Sequence, residues 1–166
     1  MSIELEPNIL DKYTQYSYYF RLFLVDEPSA IAKQVPGPDQ IPQENILAET
    51  GGASKNGCSI EDVSITSYGG MDKETGLGVA SIFDIQMVQS LGATLFDDIA
   101  ETSKRLDIKN FTKIPFFLEL TFRVRDPDSQ DPLGWRPLSG YRWVWPIAFT
   151  ETKMDINASG SKYNFK

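Results

Sequence analysis

Apolar and polar residues alternate with a period of two along much of this chain, and one stretch in its middle breaks that rhythm. At the start of this stretch, which covers residues 78–125, Val79, Phe83, Ile85 and Met87 recur at about two-residue spacing while Asp84 and Gln86 face the other way, the pattern of a half-buried strand. The spacing then becomes helical. Leu95, Phe96, Ile99, Ala100, Ser103 and Leu106 share one side, with Asp97, Asp98, Glu101, Lys104 and Arg105 opposite. Thr94 is the expected N-cap, its hydroxyl accepting the Asp97 amide and the Asp97 carboxylate reaching back. Acidic residues lead and basic ones trail, as the helix dipole favours. Alternation returns in residues 116–125, where Phe116, Leu118, Leu120, Phe122 and Val124 oppose Glu119, Thr121, Arg123 and Arg125. A helix with one apolar stripe between two such strands is predicted to cover one face of a sheet.

The remaining chain reads as strand and loop. Residues 1–12 are a polar, acidic arm ending past Pro7 and Asn8, and residues 13–166 form a single domain. Residues 13–25 make a strand with Tyr16, Tyr18, Phe20, Leu22 and Leu24 on one side and Ser17, Tyr19, Arg21 and Phe23 on the other, an aromatic stripe expected to be buried. Residues 26–53, punctuated by Pro28, Pro36, Gly37, Pro38 and Pro42, are a long loop with one brief strand at Ile46, Leu47 and Ala48. Val63 and Ile65 mark a short strand in residues 60–66, and the glycine-rich tip at 68–78 joins it to the next strand as an antiparallel pair. After an acidic loop at 126–134, residues 141–150 resume as a strand with Trp143 and Trp145 on one face, and Pro146 assigns it to an edge or a bulge. Short strands follow at 153–156 and from Ser161 onward. Ending on a strand suggests a piece of something longer or an end that pairs with a neighbour.

Composition narrows the chemistry. A net charge of −7 repels phosphate backbones and removes the drive for general nucleic-acid binding. No apolar run approaches the ~18–20 residues of a membrane-spanning helix, and the acidic start lacks the basic and apolar pattern of a secretory signal. The single cysteine, Cys58, allows no internal disulfide framework, fits a reducing cytosol and is read as inert. Histidine is absent, which excludes histidine-based triads and most zinc sites. The adjacent pairs Glu61–Asp62 and Asp97–Asp98 point apart on a strand or helix and cannot form a facing acid–base dyad by themselves. Residues 51–57 hold glycines, Ser54 and Lys55, but no Gly precedes the lysine, no Ser or Thr follows it and no helix begins there, so the phosphate-loop pattern fails. Asp126, Asp128 and Asp131 do not follow the order of a calcium loop. No catalytic residue, cofactor or metal is assigned, and plentiful aromatics with strand edges point to assembly rather than catalysis.

Three stretches carry a resemblance. Asn8-Ile-Leu-Asp-Lys-Tyr-Thr-Gln-Tyr-Ser-Tyr-Tyr-Phe resembles the arm and first aromatic strand of virion structural proteins from large contractile-tailed bacteriophages. Phe83-Asp-Ile, Gly92-Ala-Thr-Leu and Ile114-Pro-Phe-Phe-Leu-Glu-Leu-Thr-Phe are similar to their strand–helix–strand core, and the stretch from Trp145-Pro-Ile to Tyr163 is similar to their next strands. The resemblance implies a mainly β (α+β) fold: a tail-tube-like antiparallel β-sandwich or partial barrel, with one α-helix over about 95–106 packed on a sheet face. It further implies a structural subunit of the tail hub or baseplate, made in the host cytoplasm and located in the virion. Its expected partners are other tail or baseplate proteins in a homo-oligomer or pseudo-symmetric ring, with DNA at most passing through the lumen, and no membrane. From the loops and aromatic edge, the expected subunit contacts are Pro36, Gly37, Pro38, Tyr68, Gly70, Met71, Trp143 and Trp145. The alternative readings are a carbohydrate-binding or host-attachment module of the virion, with Tyr16, Tyr18, Trp143 or Trp145 stacking on sugars, and a carboxylate-based cell-wall hydrolase.

Overall fold

The computed structural model describes residues 8–26, 37, 40–52, 54–71, 78–109, 116–125 and 135–166. Along the chain run β1 (Gln15–Leu24), β2 (Ile46–Glu49), β3 (Cys58–Met71), β4 (Gly78–Gln89), α1 (Leu95–Arg105), β5 (Phe116–Arg125), β6 (Trp135–Ile147), β7 (Thr152–Asn157) and β8 (Gly160–Phe165). The strands form one sheet in the order β6-β5-β1-β2-β3-β4-β8-β7. The fold is therefore mainly β with a helix, as the alternation predicts. The expectation of an antiparallel sheet needs one correction: β2 and β3 run parallel, meeting at Glu49 and Ser59. The cause is local. Thr50 is held to β1 by its amide on the Phe20 carbonyl (2.9 Å) and its hydroxyl under the Phe20 amide (3.0 Å), and the chain then turns back through Gly51, Gly52 and Gly57, all at positive φ.

The sheet curls. In a flat sheet β4 and β6, separated by four strands, would lie on the order of 24 Å apart; instead the rings of Phe83 and Trp145 are 5.6 Å apart. Phe149 bridges the same closure, 4.6 Å from Phe116 and 4.5 Å from Phe165. The concave face thus becomes the main core, built from Leu22, Leu24, Leu47, Cys58, Ile60, Ile85, Met87, Leu118 and Tyr163, and α1 closes it with Leu95 and Ile99. One alternating pattern is interrupted: Glu61 is an extra residue between the pairs Ile60–Met87 and Asp62–Gln86, so this bulge carries the inward parity from Ile60 over to Val63 and Ile65.

Two features depart from one-sided patterning. The start of β5 is buried on both faces, because Phe117 packs with Phe23, Val25, Ile41 and Ile46 in a second cluster on the convex side. The buried stripe of α1 is Leu95, Ile99, Thr102 and Ser103, whereas Phe96 and Ala100 are exposed. The helix is rotated toward β2, where Thr102 and Arg105 reach the Glu44 carbonyl.

The N-cap geometry also differs from expectation. Thr94 precedes α1, but with φ −97° and ψ −2° its hydroxyl is not on the Asp97 amide. It donates to Asp98 Oδ2 (2.9 Å) and accepts from Gln89 Nε2 (2.9 Å), while the Thr94 amide donates to Gln89 Oε1 (3.0 Å). Gln89 is the reason. Its amide is buried at the end of β4 and takes the Thr94 groups as partners, along with the Asn56 carbonyl and the Tyr163 hydroxyl.

Candidate interaction face

Because β2 is only four residues long, the sheet opens beyond it. Among the described residues, residues 15–19 of β1 have no strand partner on the side facing β2 and pair with β5 alone, and β3 from Glu61 onward pairs with β4 alone. Between these two arms lies a cleft of about 280 Å³. Tyr18, Phe20, Leu120 and Phe122 line one wall, Ile60 and Val63 the other, and Thr50, Glu61 and Asp62 complete the lining.

The register explains the aromatic wall. Tyr18 pairs with Phe122, and Phe20 with Leu120, which in turn pairs with Trp143. These side chains therefore share the concave face with the core, but one layer farther toward its open end. The Phe122 and Trp143 rings are 5.9 Å apart edge to face, and Tyr141 stands 6.2 Å from Trp143. Tyr16 is 58% exposed, Tyr18 61% and Trp143 42%. Of the stripe expected to be buried, Phe20, Leu22 and Leu24 are buried, and Tyr16 and Tyr18 are the correction: the helix fills only the end of the curl near Leu22 and Leu118, so the aromatic layer beyond faces solvent.

The convex face carries the charge. Glu119 is fully buried, and its two carboxylate oxygens accept from Arg21 Nε at 2.6 Å and from Arg142 Nε. Arg21 is also the register neighbour of Glu49 on β2. Glu49 accepts from the Tyr19 hydroxyl, and the Arg123 guanidinium lies 3.7 Å above the Tyr19 ring. No residue pair singled out from the sequence belongs to this cluster. The signal available was a glutamate and two arginines on neighbouring strands, which becomes meaningful only once register is known. A polar opening of about 360 Å³ lies elsewhere, at Asp62, Asp84, Glu151, Lys153 and Lys166, where acidic and basic groups alternate. Among the described residues no group of three or more His, Cys, Asp or Glu is placed to hold a metal.

Burial raises two groups strongly. The Cys58 thiol is pushed up from 9.0 to about 12, chiefly by burial and then by Asp98, which fits its reading as inert. The Tyr19 hydroxyl rises from 10.0 to about 12 through burial, its hydrogen bond to Glu49 and that carboxylate's charge. Tyr163 is raised as well, first by burial. Below pH 9 the folded and unfolded chains hold these protons equally. Above it the unfolded thiol ionises first, so stability is lost as pH rises from about 9 to 12, with Cys58 contributing up to about 4 kcal/mol. Melting temperature measured against pH should stay level to about pH 9 and then fall, and Cys58→Ala should reduce the slope.

The sequence-predicted contact residues are divided by the fold. Trp143 belongs to the aromatic face, while Trp145 is partly buried against Phe83. Tyr68 is exposed far along β3, with Gly70 and Met71 in the same strand. Gly37 lies apart from both groups in sequence, its amide bonded to the Gln40 side chain at 2.9 Å. Pro36 and Pro38 fall outside the described residues, as does the aspartate-rich loop at 126–134. Compared with protein-family models, with curated proteins and with solved structures, the chain has no match.

Proposed function

We propose that this chain is a structural subunit of a contractile phage tail, in the hub or baseplate region, assembling with other tail proteins into a ring or adaptor around a central channel. The observation that carries the assembly reading is the open cleft, where backbone edges of β1 and β3 that no described strand pairs flank an exposed aromatic wall. Unpaired edges accept strands from other chains, and aromatic side chains are enriched where interfaces are buried. The placement in a tail rests on the resemblance of residues 8–20, of residues 83–85, 92–95 and 114–122, and of the stretch 145–163 to virion proteins. The acidic balance suits a lumen through which DNA slides without being held. No catalytic role and no cofactor are part of this reading. The test is incorporation: the tagged chain, expressed with a tail's other components, should co-sediment with assembled tails. Tyr18→Ala combined with Trp143→Ala should reduce that incorporation at least tenfold while leaving the melting temperature near that of the parent. A chain that never co-sediments would overturn the tail assignment.

One observation favours a second reading. Tyr16, Tyr18 and Trp143 are exposed on one face, the arrangement that stacking on sugar rings requires. Binding on a glycan array that disappears with Trp143→Ala would select this reading.

A further inference from the structure

The far edge of the sheet is strand β7. Strand β7 ends the sheet, contains no proline, and all six of its residues are exposed. Glu151 and Lys166 exchange both backbone hydrogen bonds, at 3.2 and 2.9 Å, and the β7–β8 register continues unbroken from that pair. Odd-numbered residues of β7 therefore turn their amides and carbonyls toward β8. Thr152, Met154 and Ile156 turn theirs outward, to an edge with no strand on it among the described residues. Their side chains lie on the core face, since Met154 is the register partner of the buried Tyr163. Yet Met154 is 43% exposed and Ile156 63%.

We propose that two copies of this chain pair antiparallel through β7, about a twofold axis at Met154. In that register Met154 meets Met154 of the second copy, Thr152 meets Ile156, and Lys153 meets Asp155 twice. Backbone phase permits it, because each outward-facing residue is opposite an outward-facing one. Charge selects it. A shift of two residues in either direction places Asp155 against Asp155 or Lys153 against Lys153, and like charges directly opposite destabilise a strand pair. A one-residue slip breaks the hydrogen-bond phase and sends the apolar side chains to the wrong face. Within one chain Asp155 already has Lys162 as its partner on β8. The dimer thus extends a row of alternating charge from Lys162 through Asp155 to the second copy's Lys153. On the core face, Met154 and Ile156 continue the apolar surface of Tyr163 and the exposed Phe96. The contact is isologous and self-limiting at two copies, and it leaves β6 and the aromatic cleft free. It requires only a second copy, so it does not depend on the tail assignment.

Sedimentation of the full chain across a concentration series, with cysteine cross-linking, tests this. The wild type should sediment as a dimer. Asp155→Lys sets Lys153 against a lysine at both crossings and should weaken the dimer about tenfold or more. Combining it with Lys153→Asp restores opposite charges and should recover the dimer, an outcome that misfolding cannot produce. Met154→Cys places two sulfurs at the axis, within reach of a disulfide, and should give a covalent dimer on mild oxidation; the buried Cys58 contributes no background. A wild type that remains monomeric, a dimer indifferent to Asp155→Lys, or a Met154→Cys chain that does not cross-link would each overturn the pairing. Dimerisation without co-sedimentation would remove the tail reading alone, and co-sedimentation by a strictly monomeric chain would remove the β7 pairing alone.

Discussion

Replacing Glu119 with alanine is expected to lower the unfolding free energy by about 3 kcal/mol, read as a shift of the denaturant midpoint. The carboxylate is fully buried and sits between Arg21 and Arg142, one guanidinium to each oxygen. Removing one member of a buried ion cluster costs roughly 3–5 kcal/mol, because the charges left behind lose a counter-charge that solvent only partly replaces. The lower end applies here, since the Arg21 and Arg142 side chains are 15% and 24% exposed and can recover some hydration. Glu119→Gln keeps the shape but only one acceptor oxygen, its NH2 group being a donor set against the other guanidinium, so it should also destabilise, though by less than alanine because no cavity is left. Adding Arg142→Ala to Glu119→Ala should cost less than the sum of the two single changes, the sign of direct coupling in a double-mutant cycle. Strict additivity would mean that the two side chains are neighbours without interaction. The cluster also joins β1, β5 and β6 on the side away from the main core.

The second large effect is expected at Gly160, where alanine should destabilise by about 4 kcal/mol or prevent folding. Two causes add. The backbone there has φ +126°, a conformation that side chains rarely adopt. A Cβ at this position would overlap the Gln89 carbonyl oxygen and lie 3.0 Å from the Ser90 Cα, both backbone atoms that cannot rotate away. The neighbouring backbone would have to shift, and with it the Gln89 side chain that joins Thr94, Asn56 and Tyr163. Gly140→Ala is the control: it has φ +83° but no atom within 4 Å of its added Cβ, so strain acts alone and the loss should stay near 1 kcal/mol. Equal melting temperatures for the two variants would show that the crowding at Gly160 is relieved without cost.

Much of the fold was legible in the residues. Alternation locates β5 and the inner part of β4, the helical stripe locates α1 to within a residue, and the strands on either side of the glycine-rich 68–78 stretch form the expected antiparallel pair, with β3 itself running on to Met71. Pro146 rightly placed β6 at an edge, and the same strand carries a bulge near Thr121 and Arg123 of its partner. Less of the candidate face could be read. Trp143 was named as a contact residue, but Tyr16 and Tyr18 were expected to be buried because aromatic stripes on strands usually face a core. The brief strand expected at Ile46, Leu47 and Ala48 is β2, but nothing local reveals that its shortness opens a cleft between β1 and β3, or that Glu61 is a bulge. The cap at Thr94 was misassigned for a similar reason: the group that takes its hydroxyl, Gln89, is buried only when β4, β8 and α1 come together.

What residues alone could settle were the properties with a local cause: strand or helix from periodicity, turns from glycine and proline, and the absence of histidine chemistry from composition. Those properties depend on neighbours a few positions away, and the chain carries them wherever it goes. Tertiary structure decided which surfaces remain open. The curl of the sheet buries Leu22 and exposes Tyr18 although they share one strand and one parity, because the helix fills only one end of the concave face. Register likewise turned scattered charges into the Glu119 cluster and turned Lys153 and Asp155 into a self-complementary edge. Burial and pairing are properties of distances between strands, and those distances exist only after the sheet has closed.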